Sequence, residues 1–498
     1  MLSSLELSLK AASPRYSPPP TPLRAILIHG SVMLLWFALL AMAFRHTGVL
    51  AWSTGIAYVI YDTVLLLFVF WQTLRLARMP LGVLDASNVA QQPAATAARV
   101  TLGVIVASHN EAAVLPITLG ALLGQRDAPD LIVIADDGST DSTVDVLLRE
   151  YGLHPPAMGE MSDLNAACPT LRWLRLPHGG KARALNAAIV QMDTDIVLTV
   201  DGDTLLESDA IGAVRNAFSN EPALVAATGV LAPVCSNSLS GRLFQWFQTY
   251  EYIRNFLSRY AWMRVNSLLL ISGAFAGFRR TALVEVGGFD ADCLVEDYEL
   301  IHRLRRFGTL HQRSWTTRVL GNARARTEAP GTIGAFLRQR RRWFGGFLQT
   351  QFWYRDMVGD RRHGWLGLAM LPVKAVDTLQ PLYGLTAFFL LVYYALRGSL
   401  GVLGPVALVI GGKIVIDLLF HLWSVHLYRR WAQSAPGVES FGGGVPRADF
   451  ALAFLAAVLE PFTFQLLRHL GAAWGWLYFL TGDRRWGKQS RGGLLPPF

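Results

Sequence analysis

Cysteine is scarce in this chain. Only three occur, Cys168, Cys235 and Cys293, far apart and without a CxxC pair. That spacing excludes a zinc ribbon and a disulfide framework, and fits reduced packing residues in a cytoplasmic portion. Charge is scarce as well: Asp, Glu, Lys and Arg make up 16% of 498 residues, against 52% hydrophobic. That is too little charge for an ordinary soluble enzyme and too much for a pure membrane bundle. The composition predicts a chain that lies partly in bilayer and partly in water. Acid is the rarer sign, with 36 Asp and Glu against 45 Lys and Arg, a net charge of +9. Such a balance suits nucleic acid, an anionic membrane face or an anionic substrate. Many of the basic residues flank apolar runs, which sets nucleic acid aside. No internal repeat of note occurs.

What is abundant is apolar sequence in long runs. Residues 1–24 are Pro- and Ser-rich and read as a disordered basic tail. Residues 25–44 are long enough to cross a bilayer, which takes ~20 residues, and 49–73 form a second run. The first run lacks the small-residue cleavage site of a signal peptide. Lys10, Arg15 and Arg24 precede this hairpin (25–75), and Arg75 and Arg78 follow it, so both ends are expected in the cytoplasm. Residues 76–100 read as a linker. Toward the other end (363–482), runs at 379–396, 401–427 and 450–467 read as spans, with 363–377 or 470–481 as a further candidate. The basic tail 483–498 favours the cytoplasm, which calls for an even number of these spans, whereas the clearest count is three.

Between the apolar regions the pattern changes. Short β-rich runs at 104–107, 131–135, 171–176 and 196–200 alternate with helical stretches at 112–124, 140–151 and 181–192. Alternation of this kind predicts a parallel α/β sheet over 101–325, with ligands at the carboxyl ends of its strands. Two aromatic and basic stretches, 241–262 and 333–353, are too polar to cross and read as helices lying in a membrane interface; the second falls in a segment, 326–362, that follows the α/β region.

The polar motifs fall at the predicted strand ends. Asp201-Gly202-Asp203 follows an apolar strand, and carboxylates at i and i+2 of an extended segment share one side. They make a site for a hard divalent cation that grips phosphate oxygens, or else a solvated turn. Asp136-Asp137-Gly138-Ser139 offers acceptors for a pyrimidine N–H or a ribose hydroxyl, or is a turn capped by Ser139 or Asp141. Glu111 adds a further acceptor. Gly179-Gly180-Lys181 opens a helix; its N–H groups and Lys181 suit a diphosphate, although it lacks the spacing of a Walker A loop. Glu296-Asp297 begins another helix, where acid is favoured by the helix dipole and where Asp297 could act as a general base. Gln339-Arg340-Arg341-Arg342-Trp343 supplies cations for a departing diphosphate and a flat ring for a sugar, or anchors on lipid headgroups. His109, His178 and His302 have no metal-like spacing and read as packing or solvated residues.

Taken in order, DDGS, GGKxxALN, DGD, ED and QRRRW resemble the inverting family 2 glycosyltransferases, in particular the membrane-embedded processive polysaccharide synthases such as those of poly-N-acetylglucosamine, hyaluronan and cellulose. The resemblance covers roughly residues 100–350. It implies a cytoplasmic GT-A domain inserted between transmembrane helices of a bacterial inner membrane. It also implies a UDP-sugar donor, a growing polysaccharide acceptor, Mg²⁺ or Mn²⁺, and possible periplasmic or small membrane accessory subunits. Glu111 and Asp137 would help hold the uridine, and Asp201 and Asp203 the diphosphate and its metal; Asp136 and Lys181 are further substrate-binding candidates. Asp297, beside Glu296, would be the catalytic base. Gln339, Arg340, Arg342 and Trp343 would sit over the diphosphate and the acceptor sugar, and Ile271–Arg280 would line the acceptor site. Two positions depart from the family's habit: His109 stands where Tyr is frequent, and Val295 where Thr or Gly is. A non-processive enzyme acting on a lipid phosphate and a catalytically silent membrane subunit are the alternatives; QRRRW argues against the first and the complete acidic motifs against the second.

Overall fold

Apolar β-branched runs alternating with short helices build a sheet whose strands are buried on both faces. In the computed structural model, which describes residues 2–78, 99–165, 168–432 and 450–482, this expectation is met over the first half of the central domain. Three helices come first: α1 (Leu2–Ala12), α2 (Leu23–Ala43) and α3 (Ser53–Arg78). The domain then runs β1 (Leu102–Ser108), α4 (Leu115–Leu123), β2 (Leu131–Asp137), α5 (Thr143–Tyr151), β3 (Leu171–Leu176), α6 (Lys181–Gln191) and β4 (Ile196–Asp201). It continues with β5 (Thr204–Leu206), α7 (Ala210–Asn220), β6 (Leu224–Val234), α8 (Leu239–Arg264), β7 (Phe275–Arg279), α9 (Arg280–Glu285), α10 (Glu296–Leu310) and β8 (Thr316–Glu328). After it come α11 (Ile333–Trp353), α12 (Leu371–Leu396), α13 (Leu400–Ala432), α14 (Phe450–Leu459) and α15 (Phe464–Thr481).

The eight strands form one sheet in the order β3-β2-β1-β4-β7-β6-β8-β5. β3, β2, β1 and β4 are parallel, as the alternation predicts. The sheet as a whole is mixed, not parallel: β7 runs antiparallel to both β4 and β6. The reason is local. β1 to β4 are joined by single short helices that return the chain to the same edge, whereas the 26-residue α8 separates β6 from β7 and the chain enters β7 from the opposite end. Register places Ser108 opposite Asp136, and Ala107 opposite Asp201, so the carboxyl ends of β1, β2 and β4 make one edge.

Among the described residues, five helical stretches are long and apolar enough to cross a membrane: Leu23–Ala43, Gly48–Arg78, Leu366–Leu396, Leu400–Arg430 and Ala451–Thr481. Residues 363–377 are not a separate span. A π-turn at Leu366–Met370 feeds straight into α12, giving one continuous helical stretch. Residues 470–481 likewise belong to α15, which is separated from α14 only by the short turn at Glu460–Phe462 containing Pro461. Three candidate spans therefore follow the domain; the basic tail 483–498 and most of the 76–100 linker lie outside the described residues. The two predicted interface helices are α8 and α11. α15 crosses α11 closely: a Cβ on Gly475 would meet Phe344 Cβ at 2.8 Å and Gly345 N at 3.0 Å.

The N-terminal segment is not a disordered tail. α1 buries Leu5, Leu9 and Ala12, spaced at helical intervals, against the central domain. Its backbone comes so near Gly287 that a Cβ there would lie 2.2 Å from Leu9 N.

Candidate active site

The edge formed by β1, β2 and β4 opens into a cavity of about 1230 Å³. Asp137, Asp201, Asp203, Glu296 and Asp297 all line it, together with Glu111, Lys181, Gln339, Arg340, Arg342 and Trp343. The acidic residues scattered over 160 positions of sequence thus share one space, as the motifs require.

Asp137 organises the end of the cavity beside β2. Its carboxylate accepts from Gly179 N at 2.7 Å and from Gly180 N at 2.9 and 3.1 Å. The glycine N–H groups, expected to face a diphosphate, are therefore committed to Asp137. A Cβ on Gly138, where φ is +68°, would lie 2.7 Å from His178 N, so glycine is required at this turn. Asp136 is apart from the cavity. Its carboxylate accepts from Ser139 N (2.9 Å) and the Trp173 indole (3.3 Å) in a buried setting, which makes it the residue that shapes the turn. His109 and His178 are more than solvated residues: their rings stack 4.4 Å apart at 27°, and each Nδ1 bonds the Asp137 carbonyl. Ligand atoms of His109, Asp137 and His178 lie within 4.8 Å of one another, a convergence that linear spacing conceals.

The Asp201-Gly202-Asp203 turn is fixed from behind by Thr118, whose hydroxyl donates to Gly202 O at 2.7 Å. Lys181 ion-pairs with Asp201 and stands 3.8 Å from Glu296. Burial alone would lower the Lys181 pKa, but Asp201 and Glu296 outweigh it and raise it. Asp203 is pushed up to about 7, first by burial and then by the charges of Asp201 and Glu328. Two half-buried carboxylates on one turn, with the charge of Glu328 close by, are the donor set a hard divalent cation fits. Asp201 and Asp203 are the residues that would hold it.

Asp297 sits at the start of α10 with both oxygens engaged, Oδ2 by Gly273 N (2.7 Å) and Oδ1 by Tyr298 N (2.8 Å). A Cβ on Gly273 would meet Asp297 Oδ2 at 3.0 Å, so the segment 271–280 packs directly on this carboxylate. Glu296 is buried, and burial raises its pKa, with Asp297 adding to the shift while Lys181 and Arg342 oppose it.

The five residues of QRRRW divide on α11. Gln339, Arg342 and Trp343 face the cavity. Arg340 lines it but gives both terminal nitrogens to Glu251 on α8, at 2.7 Å each, while its guanidinium lies 4.6 Å from the Trp343 ring. It braces two helices instead of standing free for a diphosphate. Arg341 points away, over Trp474 and Tyr478 of α15.

The sequence reading missed Glu251, Arg259 and Glu328, which also line the cavity. It missed as well that the cavity continues along the apolar helices. Asp62, Asp377, Asp417 and Glu460 line that part, paired with Lys413, Lys374 and Arg254. Charged residues inside apolar runs were the available signal, since they are rare there unless functional.

Residues 103–287 match the profile of Glycosyl transferase family 2, and residues 196–404 that of Glycosyl transferase family group 2. A poly-beta-1,6-N-acetyl-D-glucosamine synthase of Staphylococcus aureus is 27% identical over 244 residues, 49% of this chain and 53% of that protein. Its counterpart in Staphylococcus epidermidis is 29% identical over 254 residues, 50% of this chain and 56% of that one. The chain spans about half the length of these curated relatives. Among solved structures, a mannosyltransferase from Pyrobaculum calidifontis, in complex with GDP-mannose and Mn²⁺, superposes with a TM-score of 0.52. At 20% identity, over 83% of this chain and 99% of that one, it shares the fold.

Proposed function

The chain carries a family 2 glycosyltransferase domain set between helices apolar enough to span a membrane, and from that premise we propose an inverting, processive β-glycosyltransferase. It polymerises a UDP-sugar and exports the product through its own membrane portion. N-acetylglucosamine is the sugar favoured by the names of the relatives; glucose is the alternative. In this reading the enzyme works in a bacterial inner membrane, with its domain in the cytoplasm; the five apolar helices support the membrane part.

One observation carries the reading: a single cavity joins Asp137, Asp201, Asp203 and Asp297 and runs on among polar residues of the apolar helices. At the nucleotide end, Asp137 and the stacked histidines flank the base. Lys181 and Arg342 balance the diphosphate, and a divalent cation at Asp201 and Asp203 would add positive charge against the leaving group. Asp297, oriented by two backbone N–H groups, takes the proton from the acceptor hydroxyl. The hydroxyl oxygen bonds to the anomeric carbon as the bond to UDP breaks on the opposite face. An α-linked donor therefore gives a β-glycoside. Trp343 offers an apolar face to the acceptor sugar.

The test uses membranes incubated with a panel of UDP-sugars. High-molecular-weight product that a β-specific glycosidase digests is expected from UDP-N-acetylglucosamine or UDP-glucose. Asp297→Asn should abolish it while leaving UDP binding intact. A product bearing one added sugar, or undiminished polymer from Asp297→Asn, would refute the reading.

A further inference from the structure

The loop between α9 and α10, residues 286–295, delivers Glu296 and Asp297 to the cavity, and it is tied down from several sides. Asn186 of α6 bonds both Phe289 N and Phe289 O at 2.8 Å. Arg303 of α10, fully buried, donates to Val286 O and Gly288 O at 2.7 Å each. Gln349 of α11 accepts from Leu294 N at 3.1 Å. These ties come from within the domain and its interface helix.

One tie comes from outside. Arg15, just after α1, donates to Asp292 at 2.7 Å and lies 3.2 Å from Asp290. The Asp290 side chain is 1% exposed, so its carboxylate sits in low dielectric and depends on a nearby cation. The Arg15 guanidinium also lies 5.4 Å from the Trp353 ring, at the end of α11. Leu5 and Leu9 are buried beneath it, and Gly287, at the head of the loop, has the room of a glycine because α1 lies against it. Farther on, Arg355 donates to Thr21 Oγ1 at 2.6 Å, and Arg24 to Val358 O at 3.1 Å. Residues 2–24 therefore form a strap anchored at both ends, with its one arginine contact to the loop placed five to seven residues before Asp297.

We propose that Arg15 is a positioning residue for the transfer reaction: the N-terminal strap, through Arg15, neutralises Asp290 and Asp292 and thereby holds the loop that sets Glu296 and Asp297 against the acceptor. The proposal rests on the reading of Asp297 as the base. It separates the strap from the donor site, because Asp137 ends β2, Asp201 ends β4 and Asp203 lies in the turn after it, apart from the ion pairs of Arg15. Loss of Arg15 should misplace the base and leave nucleotide binding alone; a misplacement of about 1 Å costs on the order of 100-fold in rate.

The experiment compares full-length protein with its Arg15→Ala and Arg15→Lys variants in nanodiscs. Arg15→Ala should lower kcat for UDP release by about 10- to 100-fold, with KM for the donor and Kd for UDP within about 2-fold. Arg15→Lys should restore most of kcat. Hydrogen exchange over 286–295 should quicken in Arg15→Ala and return in Arg15→Lys. A kcat within 2-fold of the parent, a parallel loss of UDP affinity, or unchanged exchange of this loop overturns the proposal. Retained transfer by Asp297→Asn in the same nanodiscs would instead remove the base assignment, leaving hydrogen exchange to judge the strap by itself.

Discussion

Gly202 offers a sharp test of how the acidic residues are packed. A Cβ built on it would lie 1.4 Å from Glu111 Oε2 and 2.6 Å from Glu111 Cδ. Ordinary contact begins near 3.4 Å, so Gly202→Ala must drive that oxygen some 2 Å away. Glu111 is only 5% exposed, so its oxygen can yield only by swinging into the cavity that it lines and out of its place beside the turn. Alternatively the turn moves, and with it Asp201 and Asp203, against the grip of Thr118 on Gly202 O. Overpacking of this kind costs about 1–3 kcal/mol of stability. Displacing the acidic pair should cost about 100-fold or more in kcat. UDP release and thermal unfolding in detergent measure the two effects. Adding Glu111→Ala clears the space, so the double variant should recover the lost stability without recovering turnover. A double variant as unstable as Gly202→Ala, or a Gly202→Ala enzyme within 3-fold of the parent, would refute the packing argument.

Other outcomes follow from the same geometry. His302 is fully buried and burial lowers its pKa to about 4, below the unfolded value of 6.5. Its neutral form is stable in the fold above pH 6.5, and stability should fall by about 3 kcal/mol as pH drops from 6.5 to 4; His302→Gln should flatten that slope in thermal unfolding. Arg340→Ala strips Glu251 of its bidentate partner and should cost about 3 kcal/mol of stability, whereas Arg342→Ala should leave the unfolding temperature nearly unchanged and reduce kcat; unfolding and UDP-release assays on both separate brace from catalyst. Chelation with EDTA should stop UDP release, Mg²⁺ or Mn²⁺ should restore it, and Asp203→Asn should be rescued by neither.

Much of this was legible in the sequence. β1, β2 and β4 are continuous apolar runs, buried on both faces, and such runs announce themselves; β3 shows through Leu171, Trp173, Leu174 and Leu176 in spite of Arg172 and Arg175. The acidic motifs were legible because they stop those runs. β8 was not. Its buried positions include Ala323, Ala325 and Thr327, interleaved with Arg324 and Arg326, so the alternation is carried by small side chains and gives a weak apolar signal. α1 was hidden differently: Leu5, Leu9 and Ala12 have helical spacing, but the Pro- and Ser-rich surroundings outweigh them. No local pattern announces that Asp137 takes up the Gly179 and Gly180 N–H groups, or that Arg340 belongs to Glu251. Those pairings join residues 42 to 89 positions apart, and only the packed fold decides them.

The side of the cavity nearest the apolar helices holds Arg254, Lys374, Lys413 and Arg468, and facing them Asp62, Asp377, Asp417 and Glu460. Four positive groups are matched by four negative ones, each cation within 4 Å of a carboxylate. Such a lining offers dipoles without a net field. A small ion gains little by entering it, while uncharged hydroxyls can exchange one hydrogen-bonding partner for the next along its length. For the proposed export of a sugar chain, insulation of the bilayer and passage of the chain become compatible demands on the same wall.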